Sequence, residues 1–149
     1  MDHNAIRFRI LHALYQKHYS PQLQHLQNTG KIIEEAGLAN IDKYEVTGDI
    51  TYLEEKHLIK GNSFIGDTYP PWVKITSYGI DFVEMVFDRF AQNFQKENID
   101  NESKSEVRQL LNESNSMSSK IQRVVDLSQK YTGLWLNIMQ IAGSLFGNR

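Results

Sequence analysis

The sequence predicts a mainly α fold of α+β type, with a three-helix core, a two-stranded hairpin and a helical C-terminal third. Three observations carry this reading. Apolar residues repeat at helical spacing in three early segments, and Trp72-Val-Lys-Ile-Thr76 alternates apolar and polar residues after a Gly- and Pro-rich loop. A third pattern, an apolar repeat of alternating three and four residues, runs from Val107 to Leu145. Two domains are expected, residues 1–95 and 96–149. At 149 residues, with 40% apolar and 23% charged side chains, the chain has ordinary globular composition, so most of it should fold.

In the first helix Ile6, Phe8, Ile10, Leu11, Leu14 and Tyr15 recur at mixed spacings, with Arg7, Arg9, Gln16 and Lys17 between them. That is an amphipathic pattern, and it stops before Ser20-Pro21 because a residue preceding proline is pushed out of the α region. A polar, Gln-rich connector follows over residues 21–27. The second helix is expected over residues 29–36, burying Ile32 and Ile33, and Gly37 ends it by adopting the left-handed conformation cheaply. Asp42-Lys-Tyr-Glu45 has the Asp-x-x-Glu form of a capping box, in which each side chain satisfies the other's free backbone donor. Val46, Ile50 and Leu53 then share one face of the third helix. Residues 61–71 have the composition of an exposed loop. After the strand, Thr76 or Ser77 caps a fourth helix carrying Ile80, Val83, Val86, Phe87, Phe90 and Phe94.

Three short helices, two strands around a loop and another helix follow the order of a winged helix. Within it, Asp42-Lys-Tyr-Glu-Val-Thr-Gly-Asp-Ile-Thr-Tyr-Leu-Glu-Glu-Lys-His-Leu-Ile59 resembles the recognition helix and exit of the winged-helix regulators related to the multiple-antibiotic-resistance and phenolic-acid repressors. Val73-Lys-Ile-Thr-Ser-Tyr-Gly-Ile-Asp-Phe-Val-Glu84 is similar to their returning wing strand, whose Thr-x-x-Gly signature opens the next helix. The resemblance implies a winged helix-turn-helix domain acting on double-stranded DNA in a homodimeric transcription regulator. In such domains the third helix lies in the major groove and the wing touches backbone or minor groove. With Val46, Ile50 and Leu53 inward, Tyr44, Gly48, Thr51, Tyr52 and Glu55 point outward, and Lys43, Thr47 and Lys56 flank them. The expected DNA contacts are therefore Lys43, Tyr44, Thr47, Thr51, Tyr52 and Lys56 on the helix, with Lys60, Asn62 and Lys74 at the wing. His57 stands at the helix exit, where relatives often carry Gly.

Charge keeps a second partner class open. Residues 1–90 hold nine Lys and Arg against twelve Asp and Glu, a net of −3, and the whole chain is −2. Phosphate binding draws on Lys and Arg, yet the third helix sets Asp42, Glu45, Asp49, Glu54 and Glu55 against Lys43 and Lys56. Phe64, Ile65, Tyr69 and Trp72 give the wing an apolar, aromatic character. A protein partner recruited through the wing or the outward face of the third helix is the alternative.

In the C-terminal third, positions 107, 110, 114, 117, 121, 124, 128, 131, 135, 138, 142 and 145 are apolar except for Ser114 and Ser128. This supports a coiled-coil-like seam. A stripe this long is expected to be buried, against a second copy or back onto the first domain, and the expected dimerisation residues are Val107, Leu110, Met117, Ile121, Val124, Tyr131, Trp135, Ile138 and Leu145. One helix through the seam would be about 57 Å long at 1.5 Å per residue. The Asn- and Ser-rich stretch 112–119 and Gly133 favour two helices as readily. Residues 131–146 are uncharged, but shorter than the roughly 20 residues of a membrane span, and Asn137 and Gln140 interrupt them. Helices lying on a membrane surface normally carry basic residues on their polar face and this one has none. Dimer core is therefore the expected assignment, with a membrane-surface segment kept only within the alternative of a protein-interaction module.

The absence of cysteine excludes disulfides, thiolate metal sites and a cysteine nucleophile. None of the five histidines (His3, His12, His18, His25, His57) pairs with another at the helical i, i+4 spacing of a His-Glu-x-x-His zinc site. There is also no Gly-rich phosphate loop or nucleophile elbow. No metal, cofactor or enzymatic activity is expected. The N-terminus shows no basic stretch followed by an apolar run, so a cytoplasmic protein is expected.

Overall fold

The computed structural model describes residues 1–21, 26–62, 68–113 and 115–147. His25, Phe64, Ile65 and Ser114, all weighed above, lie outside the described residues. The described residues are mainly helical with one small antiparallel sheet. It divides into two compact units, Met1–Val83 and Glu84–Arg149. The division falls inside the fourth helix, upstream of the change in composition near residue 95.

In the first unit the elements are α1 (His3–His18), β1 (Gln27–Asn28), α2 (Thr29–Glu35), α3 (Lys43–Glu55), β2 (Ile59–Asn62) and β3 (Trp72–Ile75), followed by α4 (Ser77–Asn93). Helix α1 is the hub, packing against α2, α3 and β3. Its buried residues, Ala5, Ile6, Phe8, Ile10, Leu11, Leu14 and Tyr15, point all round the helix rather than along one stripe. The expected amphipathic helix is therefore a central one, and Arg7 and Arg9 are only half-exposed among its apolar neighbours. A guanidinium in that position needs a partner, which fixes the site described below.

The helix ends follow local chemistry. Asn28 caps α2, its side chain accepting from Lys31 N–H at 3.0 Å. Gly37, at φ 75°, ends that helix, with Leu38 N–H returning to Ile33 C=O at 3.0 Å. Ile32 is buried as expected, whereas Ile33 is half-buried. Asp42 caps α3 by accepting from Tyr44 N–H and Glu45 N–H. The reciprocal half of the box takes another course, with the Glu45 carboxylate 3.5 Å from His3 Nε2. At the end of α3, His57 occupies the left-handed region at φ 62°. Leu58 N–H there returns to Leu53 C=O at 3.0 Å.

The sheet has three strands rather than two, in the order β1-β3-β2. Two-residue β1 pairs Gln27 with Val73 and Asn28 with Trp72. Buried Thr29, beside it, donates its hydroxyl to Pro70 C=O and its N–H to Pro71 C=O. Thr76 joins the hairpin to α4: its hydroxyl donates to His57 C=O at 2.6 Å and accepts from Gly79 N–H at 3.1 Å. Gly79 is needed here for space, since a Cβ would lie 2.1 Å from Leu58 O and 2.6 Å from Ile75 Cγ1. The Thr-x-x-Gly pattern thus marks a cap and a close backbone approach.

In the second unit the seam is neither one helix nor two. It is divided among α5 (Asn101–Leu111), α6 (Met117–Lys130) and α7 (Thr132–Gly147). The Asn- and Ser-rich stretch ends α5 at Asn112 and caps α6 through Ser116, which accepts from Ser119 N–H. Tyr131, with extended backbone, separates α6 from α7, and Gly133 lies inside α7. Helix α5 packs on α6, and α6 on α7. Of the nine expected dimerisation residues, Val107, Leu110, Ile121, Val124, Ile138 and Leu145 are buried within one copy. Tyr131 and Trp135 are half-buried and Met117 is exposed. No helix among the described residues is long and apolar enough to cross a membrane.

Candidate nucleic-acid interface

Helix α3 presents one face outward because Val46, Ile50 and Leu53 bury the other. Lys43, Tyr44, Gly48, Thr51 and Glu55 are exposed, Tyr44 to 79%. Nothing lies within 4 Å of the Cβ position at Gly48, so the helix surface there is open. Thr47 is half-buried and donates its hydroxyl to Lys43 C=O at 2.8 Å, leaving its oxygen as an acceptor. Tyr52 is not the fully outward residue expected. It is half-buried, with the Arg7 guanidinium 3.5 Å from its ring centre and the Lys56 ammonium 5.6 Å away. Two cations thus lie over the ring, whose π face attracts them.

Sequence reasoning missed the cluster beneath that face. Asp49 is 1% exposed and sits among the core positions of α3. Its carboxylate accepts from Arg7 Nε at 2.8 Å and contacts His3 Nδ1 at 2.8 Å. His3 and Arg7 lie one turn apart on α1, so both reach the same carboxylate. His3 titrates above its ordinary value, first through the hydrogen bond to Asp49 and then through that residue's charge. Burial pushes the Glu54 carboxyl up. The signal for the cluster was present in the sequence: Asp49 falls on the inward arc with Val46, Ile50 and Leu53, where a carboxylate needs a cation. Asp49 therefore adds no unpaired negative charge to the outer face.

The hairpin brings the three expected wing residues together. In its register Lys60 lies opposite Lys74, and Asn62 opposite Trp72. Ile59, Val73 and Ile75 are buried, while Lys60, Asn62, Trp72 and Lys74 are exposed on the other face of the pleat. Asn62 Oδ1 accepts from Trp72 N–H at 3.1 Å, fastening the open end of the pair. The residues of the three strands include two lysines and no carboxylate. Among the described residues no carboxylate forms an ion pair with Lys60 or Lys74.

The second unit uses its surface charges internally. Arg123 forms a two-pronged ion pair with Glu113, joining α6 to the end of α5, and Lys130 lies 3.4 Å from Glu106. A cavity of about 230 Å³ is lined by apolar residues including Phe87, Phe90, Leu111, Met117, Ile121 and Val124. Among the described residues no group of three His, Asp or Glu side chains is placed to hold a metal ion.

Compared with protein-family models, curated proteins and solved structures, the chain shows no match to any of them.

Proposed function

We propose that the first unit is a winged helix-turn-helix module that binds double-stranded DNA within a transcription regulator. Helix α3 enters the major groove through Lys43, Tyr44, Thr47 and Thr51, and the β2–β3 hairpin acts as the wing. The observation that carries this reading is the Lys60–Lys74 pair. Two ammonium groups directly opposed across strands repel one another, at a cost of roughly a few tenths of a kcal/mol, the small end of cross-strand pair energies. With no carboxylate on the three strands, that repulsion is relieved when each lysine lies against a backbone phosphate of its own. The Arg7–Asp49 pair supports the same reading by removing one of the five carboxylates that weighed against an anionic partner.

Helix-docked phosphates displace condensed counterions, so log Kd depends on log salt concentration with a slope of about 0.9 per phosphate neutralised. Fluorescence anisotropy with a random-sequence duplex over a salt series tests the assignment. Lys60→Ala with Lys74→Ala is expected to lower the slope by about two. An unchanged slope contradicts the wing assignment. The second reading, docking of a protein, is favoured by exposed Tyr44 and by Glu45 and Glu55 on the same helix. It gains ground if duplex fails to bind even at low salt.

Self-association was expected because the C-terminal stripe had to leave water. One copy already buries six of its nine named residues, so the stripe itself no longer requires a second copy. A homodimer remains part of the regulator reading because a two-fold operator takes two recognition helices. Light scattering on the full chain tests it.

A further inference from the structure

We propose that the outer face of the hairpin holds an unpaired nucleotide, Trp72 stacking on the base while Lys60 and Lys74 hold the adjoining phosphates. The chain then prefers a duplex ending in a single-stranded tail to a blunt duplex. This rests on the nucleic-acid reading above and extends it from duplex to the junction between duplex and single strand.

Four outward side chains form the surface: Lys60, Asn62, Trp72 and Lys74. Trp72 keeps 39% of its surface in water. The part of the indole left in water is apolar area that no described residue covers, and an indole's flat face matches a base. Its backbone is held from both sides. β3 is the central strand, so Trp72 is paired on one side with Asn28 and on the other with Asn62. Its N–H is further held by the Asn62 side chain. Lys74, two residues along the same strand, points the same way, roughly 7 Å distant at the rise of a strand, and Lys60 faces Lys74 directly.

Charge selects the occupant. An apolar peptide would cover the indole but leave two opposed ammonium groups desolvated, with no ion pair to either among the described residues, which is costly. A nucleotide supplies both a π face and a phosphate. Inside a duplex each base face is already covered by its neighbours, so stacking on Trp72 is open only to an unpaired or terminal base. Combined use of aromatic platforms and lysines is how proteins bind single strands without reading sequence.

The test uses the full chain, a short blunt duplex and the same duplex carrying a short oligothymidine tail, both labelled for anisotropy. The tailed duplex is expected to bind at least about five-fold tighter, the low end of stacking on one base. The ratio of the two Kd values falls to about one in Trp72→Leu and survives in Trp72→Phe. Intrinsic fluorescence is quenched by the tailed duplex in the native chain, and that quenching disappears in Trp72→Phe. Equal affinity for the two duplexes, or a ratio unchanged in Trp72→Leu, overturns this inference while leaving the duplex reading intact. Failure to bind either duplex at low salt overturns both.

Discussion

Substitution of Asp49 by Asn tests the buried cluster that joins α1 to α3. The native carboxylate is 1% exposed and accepts from Arg7, whose side chain is 20% exposed. Asn conserves the volume but removes the charge, and its one carbonyl oxygen replaces two carboxylate oxygens. Arg7 is then left half-enclosed beside Tyr52 with no counter-charge. Breaking a fully buried pair costs about 3–5 kcal/mol, and a hydrogen bond to a charged group contributes about 1.5–3 kcal/mol. Because Arg7 retains some access to water, the lower part of these ranges applies, and a loss of about 2–3 kcal/mol is expected. Urea unfolding followed by far-UV circular dichroism reads it as a midpoint lowered by about 1–2 M, given slopes of about 1–3 kcal/mol per molar urea. Replacing both partners, Asp49→Leu with Arg7→Met, should recover much of the loss, since no charge is stranded. A loss below about 0.5 kcal/mol in Asp49→Asn would refute the view that this pair positions α3.

Three further outcomes follow from the same unit. His3 has a raised pKa in the folded chain. Its contribution is therefore fully present below the unfolded value of 6.5 and is lost as pH rises through the folded value. Urea midpoints from about pH 5 to pH 9 should fall across that window more in the native chain than in His3→Gln, and parallel profiles would contradict the contact. Gly79→Ala places a Cβ 2.1 Å from Leu58 O, so backbone must shift, and a loss of about 3 kcal/mol or more in thermal or urea unfolding is expected. His57→Gly should stabilise by about 0.5–1 kcal/mol, because a left-handed residue with a Cβ is strained there, and a destabilised variant would contradict that reading of the turn.

Where periodicity and local chemistry agree, the structure was legible in the sequence. The bounds of α2 and α3, the Asp42 cap, the Gly37 stop and the inward set Val46, Ile50 and Leu53 all come from side-chain spacing and helix-end rules. So does strand β3, from its alternation. What was not legible depends on partners distant in sequence. Two residues cannot show alternation, and β1 exists because Gln27 and Asn28 meet Val73 and Trp72. The burial of α1 on all sides is set by how many elements surround it, which its own pattern does not report. The C-terminal repeat continued through breaks that its Asn, Ser and Gly content only partly marked, because an antiparallel helix pair can continue a stripe that a turn has interrupted. At the candidate site, Lys60, Asn62 and Lys74 flank one loop in the sequence and share a face in the register. Asp49 counts as surface charge in a tally of α3, although its place on the inward arc points to a buried partner.

The most direct test of the central claim is a map of backbone amide chemical-shift changes as a random-sequence duplex is added at low salt. The largest changes are expected at Lys43, Tyr44, Thr47 and Thr51 of α3 and at Lys60, Asn62 and Lys74 of the hairpin, fading as salt is raised. Changes confined to residues 84–147, or none at all, would contradict the proposal that this unit binds DNA.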